Sequence, residues 1–484
     1  MYSAKDEVPR NSRNRTRLSA IAVSSVILGA FALSDRANGA VPNPIVTGPI
    51  PALATPGDPS HNYPFFSTSV DLAKFGYVEE EFFFEGTANR YNLPPLGTGS
   101  ILDTGHPYRT RMIVRRPASP SSFNGTVLLE WQNVAVGYDF DAGWNGGSDH
   151  IMRRGYAWIG VSAQRVGVQA PVTGLKFWSP SRYGTLDVTQ GGTILDDALS
   201  YDIFSQAAQA VRSPAGIYPM GALHVERVLA VGGSLSASFL VRYYNSIQPL
   251  AGVIDGFDIT RGGGLLRTDL DVNAFKVLSE TDVAIGGNQV PFPLQPDSDH
   301  FRRWEVAGSA HLDYYVHQAV LPQQIRDGVP YTSDPPNPPC TLPAFSRIPL
   351  QFVGAAVLDH LDRWVKYNIP PPTAPDITRD AGSPTLVARD SYGNVLGGIR
   401  LSQHAVATAV NTGVNGPPAN AFCRLFGSYQ PFDEATLDAL YRNHGAYVSR
   451  VSNVTLENLS RGFLVQEDAA ATLQEAAQSR FGKP

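Results

Sequence analysis

Cysteine is nearly absent from this 484-residue chain: there are two, Cys340 and Cys423. Neither has a Cys or His partner at ligand spacing, which speaks against a cysteine-based metal site, and no His/Asp cluster shows ligand spacing for metal-dependent hydrolysis. Charged residues make up only 17% of the chain against 43% hydrophobic ones, the balance of a globular protein rather than a disordered one. No basic patch of the kind that binds nucleic acid is present. Internal repeats and low-complexity tracts are also missing. The longest uncharged N-terminal run, Leu18 to Leu33, falls short of a comfortable membrane span.

That run has its own layout. Lys5, Arg10, Arg13, Arg15 and Arg17 precede it, and small residues, Ala37 to Ala40, follow. Basic, apolar, small is the order of a secretory signal, so residues 1–40 are expected to be a signal peptide, with an uncleaved N-terminal anchor as the alternative. Without them, 32 basic residues stand against 40 acidic ones. Export to an oxidising compartment would let Cys340 and Cys423 pair. A bridge across 83 positions would stabilise by roughly 4 kcal/mol in the chain-entropy model.

The stretch Val228-Leu-Ala-Val-Gly-Gly-Ser-Leu-Ser-Ala-Ser238 organises the rest. A short buried strand, a turn of small residues and a helix-permissive run form the setting of a nucleophile elbow. Gly232 to Ser236 fits G-x-S-x-G with serine in place of the last glycine, making Ser234 the candidate nucleophile.

Around it the chain divides. Val41 to about Phe66, rich in Pro, Gly and Thr, reads as an extended leader over the surface. Residues 67–330 read as the core. Phe75–Gly86 and Tyr108–Arg116 mix polar and apolar positions, as an antiparallel pair with one wet face would. Thr126–Trp131 and Tyr156–Ala163 are near-continuous apolar runs of the parallel, doubly covered kind. A short helix is expected near Gly147–Arg154 and a longer one over Asp197–Val211. Strands are expected at Ala251–Asp255, Ala274–Ser279 and Trp304–Ala307. This is an α/β chain with a mostly parallel sheet and helices on both faces. Residues 331–484 read as a C-terminal helix of the core, Phe352–Val365, plus a mixed appendage with a turn at Asp390–Asn394 and a helical end, Asp433–Phe481.

In this layout a base and an acid should follow the nucleophile on loops at the carboxyl ends of successive strands. His311 follows one strand and is the candidate base; His300 precedes that strand, and His317 lies one or two helical turns beyond. Ser279-Glu-Thr-Asp282 follows the preceding strand, offering Asp282 as the acid with Glu280 as the alternative. An oxyanion hole would use the backbone N–H of Leu235 and that of Asn133 or Val134, in the loop after Trp131.

These residues resemble a family. Trp131-Gln-Asn-Val134, Arg154–Gln164, Ser181-Arg-Tyr-Gly184, Gly232–Ala237, Trp304–His311, Gly397-Gly-Ile-Arg400 and Cys423–Ser428 are similar to the large, often exported α/β-hydrolase domain proteins of bacteria. The resemblance runs from about Gly125 to the C-terminus. It implies the α/β-hydrolase fold, Ser234 as nucleophile and His311 as base, and leaves the substrate open. One departure stands at the elbow, where members usually carry Glu-Ser-Gln-Ser and this chain carries Gly233-Ser-Leu-Ser236.

The expected activity is hydrolysis of a carboxylic ester, small or lipid-like, through an acyl-enzyme, with no cofactor, no metal and no nucleic-acid partner. Phe177, Trp178, Tyr183 and Phe292 are candidates to wall an acyl pocket or, equally, to anchor long loops. The alternatives are a catalytically silent binding protein that keeps the fold, and a serine peptidase.

Overall fold

The computed structural model describes residues 41–284, 294–416 and 422–479. The expected signal segment and Phe292 lie outside the described residues.

A ten-stranded sheet carries the fold. In chain order its strands are β1 (Ile45–Thr47), β2 (Tyr77–Asn92), β3 (Ser100–Pro117), β4 (Thr126–Trp131), β5 (Ala157–Val161), β6 (Ala215–Gly216), β7 (Arg227–Gly233), β8 (Gly256–Thr260), β9 (Asn273–Ser279) and β10 (Phe301–Val306). Across the sheet they run β10-β9-β8-β7-β4-β5-β3-β2-β1-β6. The six from β10 to β5 are parallel, and β5, β3, β2 and β1 join antiparallel. The principal helices are α1 (Ala142–Arg154), α2 (Ser200–Ala210), α3 (Leu235–Arg242), α4 (Tyr314–Arg326) and α5 (Leu350–Tyr367).

Both faces of the parallel strands are covered because their side chains alternate with period two. Val127, Leu129, Val228 and Ala230 pack with Ile203 and Phe204 of α2 and Leu240 of α3. Leu128, Leu229 and Val231 point the other way, onto Trp144 and Ile151 of α1 and Leu358, Leu361 and Trp364 of α5. These strands therefore read as unbroken apolar runs instead of alternating ones.

Three expectations are corrected. The segment Ala251–Asp255 is not a strand: Gln248–Ala251 ends a helix at Gly252, whose φ of 60° caps it, and the strand begins at Gly256. The leader does not simply run over the surface, because Ile45–Thr47 pairs with β2 and buries Val46. The β2–β3 ribbon extends past Gly86 to Asn92, returning from Ser100.

The C-terminal residues close on the core. Ile399 bridges to Val306, so the outer edge of β10 is partly covered. Ala409–Thr412 pairs with Ser428–Pro431, and helices His444–Ser460 and Gln466–Gln478 follow. Cys340 and Cys423 form a disulfide, with Cα atoms 5.5 Å apart. No helix among the described residues is long and apolar enough to cross a membrane.

Candidate active site

β7 ends at Gly233 and α3 begins at Leu235, so Ser234 alone makes the turn. Its φ of 59° and ψ of −118° lie outside the ordinary regions for a side-chain-bearing residue. Such strain persists only where the surroundings over-determine it. Here they do. A Cβ on Gly232 would sit 2.7 Å from Leu240 Cδ1, so glycine lets the helix fold back onto the strand. The Ser234 N–H donates to the Thr260 carbonyl at 3.0 Å. Ser236, in the place of the motif's last glycine, is buried; its hydroxyl donates to the Gly233 carbonyl at 2.8 Å and accepts the Gly233 N–H at 3.1 Å. The serine exchange is thus a staple across the turn.

His311 and Asp282 arrive from the ends of β10 and β9. His311 Nε2 lies 2.8 Å from Ser234 Oγ, and His311 Nδ1 lies 2.7 Å from Asp282 Oδ1. The other carboxylate oxygen, Oδ2, accepts the Ser279 N–H at 2.8 Å and the Ser279 hydroxyl at 2.6 Å. Burial works against ionising Asp282, but the facing His311 and the bonds from His311 and Ser279 outweigh it. They hold the carboxyl below its ordinary range. Thr281 adds a bond from the His311 N–H to its hydroxyl, 3.1 Å.

Glu280 faces elsewhere. It is fully buried, accepts from Arg389 at 2.6 Å and from the Gly308 N–H at 3.1 Å, and has no contact with His311 among those bonds. Burial pushes its carboxyl up, with Arg389 offsetting only part of the effect. Of the other histidines, His300 bonds Asn273 at 2.9 Å and His317 bonds the Thr332 carbonyl at 2.9 Å.

The oxyanion donors divide similarly. Leu235 is the first residue of α3, where a backbone N–H has no intrahelical acceptor. The Asn133 N–H is not free, because it donates to the Phe140 carbonyl at 3.1 Å. That corrects its place among the candidate donors. Its side chain instead donates to the Gly233 carbonyl at 2.8 Å, leaving Val134 from that loop.

A cavity of about 190 Å³ opens over Ser234 and His311. Val136, Phe140, Val316 and Val320 wall it from the core, and Leu425 and Phe426 from the C-terminal segment. Of the two readings of the aromatics, pocket wall or loop anchor, Trp178 and Tyr183 fit the second, because neither lines this cavity. Trp178 and Tyr183 are buried in a cluster with Phe65, their ring centroids 4.8 Å (Trp178–Phe65) and 6.3 Å (Trp178–Tyr183) apart, and Phe177 is 55% exposed. They anchor loops. The C-terminal wall was missed, although Leu425 and Phe426 are apolar residues immediately after Cys423. The Leu312 N–H, next to His311, donates to the Leu425 carbonyl at 2.8 Å, so this wall also touches the His311 loop.

An elbow serine bonded to a histidine and a carboxylate, on the carboxyl ends of parallel strands, defines the arrangement of an α/β hydrolase. The chain belongs to the alpha/beta hydrolase domain family, whose model matches residues 46–474. No curated protein matches it significantly. Among solved structures it is similar to acetyl xylan esterase 1 from Thermoanaerobacterium sp. JW/SL YS485, at 13% identity and a TM-score of 0.23, covering 40% of this chain and 50% of that one. It is also similar to the putative acetyl xylan esterase from Bacteroides fragilis NCTC 9343, at 13% identity and a TM-score of 0.25, covering 53% and 66%. The rice cell wall degrading esterase LipA from Xanthomonas oryzae matches at 9% identity and a TM-score of 0.23, covering 40% and 46%. The match thus spans about half the length of the first of these.

Proposed function

We propose that this protein is an exported serine hydrolase that cleaves carboxylic esters. The observation that carries the reading is the continuous bonding from Ser234 Oγ through the His311 ring to Asp282. In this reading Ser234 attacks the ester carbonyl while His311 Nε2 takes its proton. The same proton passes to the departing alcohol, leaving an acyl-serine that water then hydrolyses by the reverse sequence. Asp282 accepts from Nδ1–H, keeping the lone pair on Nε2 and stabilising the imidazolium as it forms. The N–H groups of Leu235 and Val134 receive the developing oxyanion, the former with the positive end of α3 behind it. The reaction draws on no cofactor.

The acyl group is the part of substrate that suits the apolar cavity, and Leu425 and Phe426 limit its length. Export accords with the basic-then-apolar N-terminus and with the Cys340–Cys423 bridge.

Turnover of p-nitrophenyl esters from acetate to dodecanoate, beside aminoacyl p-nitroanilides, tests the reading. Ester turnover is expected, with kcat/KM rising with chain length and then falling once the acyl group outgrows the cavity. Faster amide cleavage would make the protein a peptidase. A folded protein that turns over neither would be a binding protein on a hydrolase fold.

A further inference from the structure

The unusual group beside this site is an arginine. Six of the buried arginines, Arg111, Arg115, Arg182, Arg227, Arg302 and Arg303, each have a carboxylate oxygen within 4.0 Å. Arg261 is equally buried, at 7% exposure, and no carboxylate of a described residue comes that close to it. A buried charge without a direct partner is costly, so its retention calls for a task. Its backbone is strained as well, with a φ of 56°.

Arg261 stands where β8 ends, under both halves of the site. The Thr260 carbonyl just before it accepts the Ser234 N–H. Its own N–H donates to Val277 on β9 at 2.6 Å, which fixes its turn. Its Nη1 donates to the His311 carbonyl at 2.8 Å. Two consecutive residues therefore hold the nucleophile by one bond and the base by another. An inner cavity of about 80 Å³, lined by Asp258 and Asp313, adjoins the outer one over Ser234 and His311, and Arg261 lines both, with Ala142, Gly233 and Val316. Asp313 caps α4 through Oδ1, accepting from Tyr315 at 2.9 Å and Val316 at 3.0 Å. The His311 loop is thus pinned at its carbonyl by Arg261 and two residues later by Asp313.

We propose that Arg261 is a positioning residue: its guanidinium holds the backbone of His311 so that Nε2 stays in register with Ser234. This rests on the reading of Ser234 and His311 as nucleophile and base. The rival role is charge compensation alone, since the Arg261 cation lines the same inner cavity as Asp258 and Asp313 and favours the ionised form of both. The two roles separate in the Arg261→Lys variant. Lysine keeps the charge, but its ammonium sits on a flexible stem and does not reproduce the fixed planar placement of Nη1 on the His311 carbonyl.

The test is p-nitrophenyl butyrate kinetics and the rate of inactivation by a fluorophosphonate, for wild type, Arg261→Lys and Arg261→Met, with melting temperatures alongside. Positioning predicts that Arg261→Lys loses about ten-fold in kcat and in inactivation rate, with KM within about two-fold. Arg261→Met, if folded, loses about 10²-fold, the scale of a misplaced catalytic group. Wild-type kcat in Arg261→Lys overturns the proposal whether or not Arg261→Met folds. So does wild-type kcat in folded Arg261→Met, or a loss that appears in KM with kcat unchanged. A wild type that does not react with the probe brings down the serine-hydrolase reading and this role with it. A reactive wild type with unimpaired variants brings down this role alone.

Discussion

Asp282→Asn is expected to lower kcat by about 10⁴-fold while the protein stays folded, the scale seen when a triad carboxylate is neutralised in place. An amide in that position cannot accept from both Nδ1–H and the two Ser279 donors without turning one N–H onto another. The imidazole then settles in the tautomer that leaves Nε2 protonated and unable to act as a base. Glu280→Gln is the informative contrast. Glu280 is bonded to Arg389 and Gly308, away from His311, so its loss should cost about 1–3 kcal/mol of stability and leave most of kcat. Steady-state kinetics and thermal melts of the two variants check this. Equal losses of kcat would mean that the acid has been misassigned.

Removing the bridge, as Cys340→Ser with Cys423→Ser, is expected to have the second-largest effect. Loop closure over 83 positions corresponds to about 4 kcal/mol. A catalytic consequence should accompany it. Cys423 opens the short helix Cys423–Phe426, whose Leu425 and Phe426 wall the cavity and whose Leu425 carbonyl bonds Leu312. Freed of the bridge, this wall should lose definition. The melting temperature should fall, and kcat/KM for the longer esters should fall more than for acetate. An unchanged melting temperature and chain-length profile would show that the bridge braces neither fold nor cavity.

How much of this was readable in advance follows from where the information resides. The strands β4, β7, β9 and β10 are buried on both faces and announce themselves as apolar runs, each located within about three residues. The strand β8 does not. Its residues are Gly-Phe-Asp-Ile-Thr, and the apolar pair Val253-Ile254 just before it drew the expectation five residues early. The pairing of Ile45–Thr47 involves three residues at the sheet's antiparallel side, too few for any period.

The choice between Asp282 and Glu280 had to stay open for a geometric reason. Both belong to the short helix Glu280–Ala284, and two helical residues differ by about 200° around the axis. Which of them meets His311 depends on how that turn is clamped, and the clamps come from afar. Arg389 takes Glu280, and the Gly413 carbonyl accepts from Thr281. The cavity wall was hidden likewise. Leu425 and Phe426 follow Ser234 by almost two hundred positions and reach it only through the folded C-terminal segment.

The measurement that bears most directly on the central claim is labelling of the folded protein by a fluorophosphonate probe, with the modified peptide mapped by mass spectrometry. The expected result is one adduct, on Ser234, absent from a folded Ser234→Ala variant and blocked by prior heat denaturation. No labelling of the folded wild-type protein, or labelling that persists in Ser234→Ala, would contradict an activated nucleophile at the elbow.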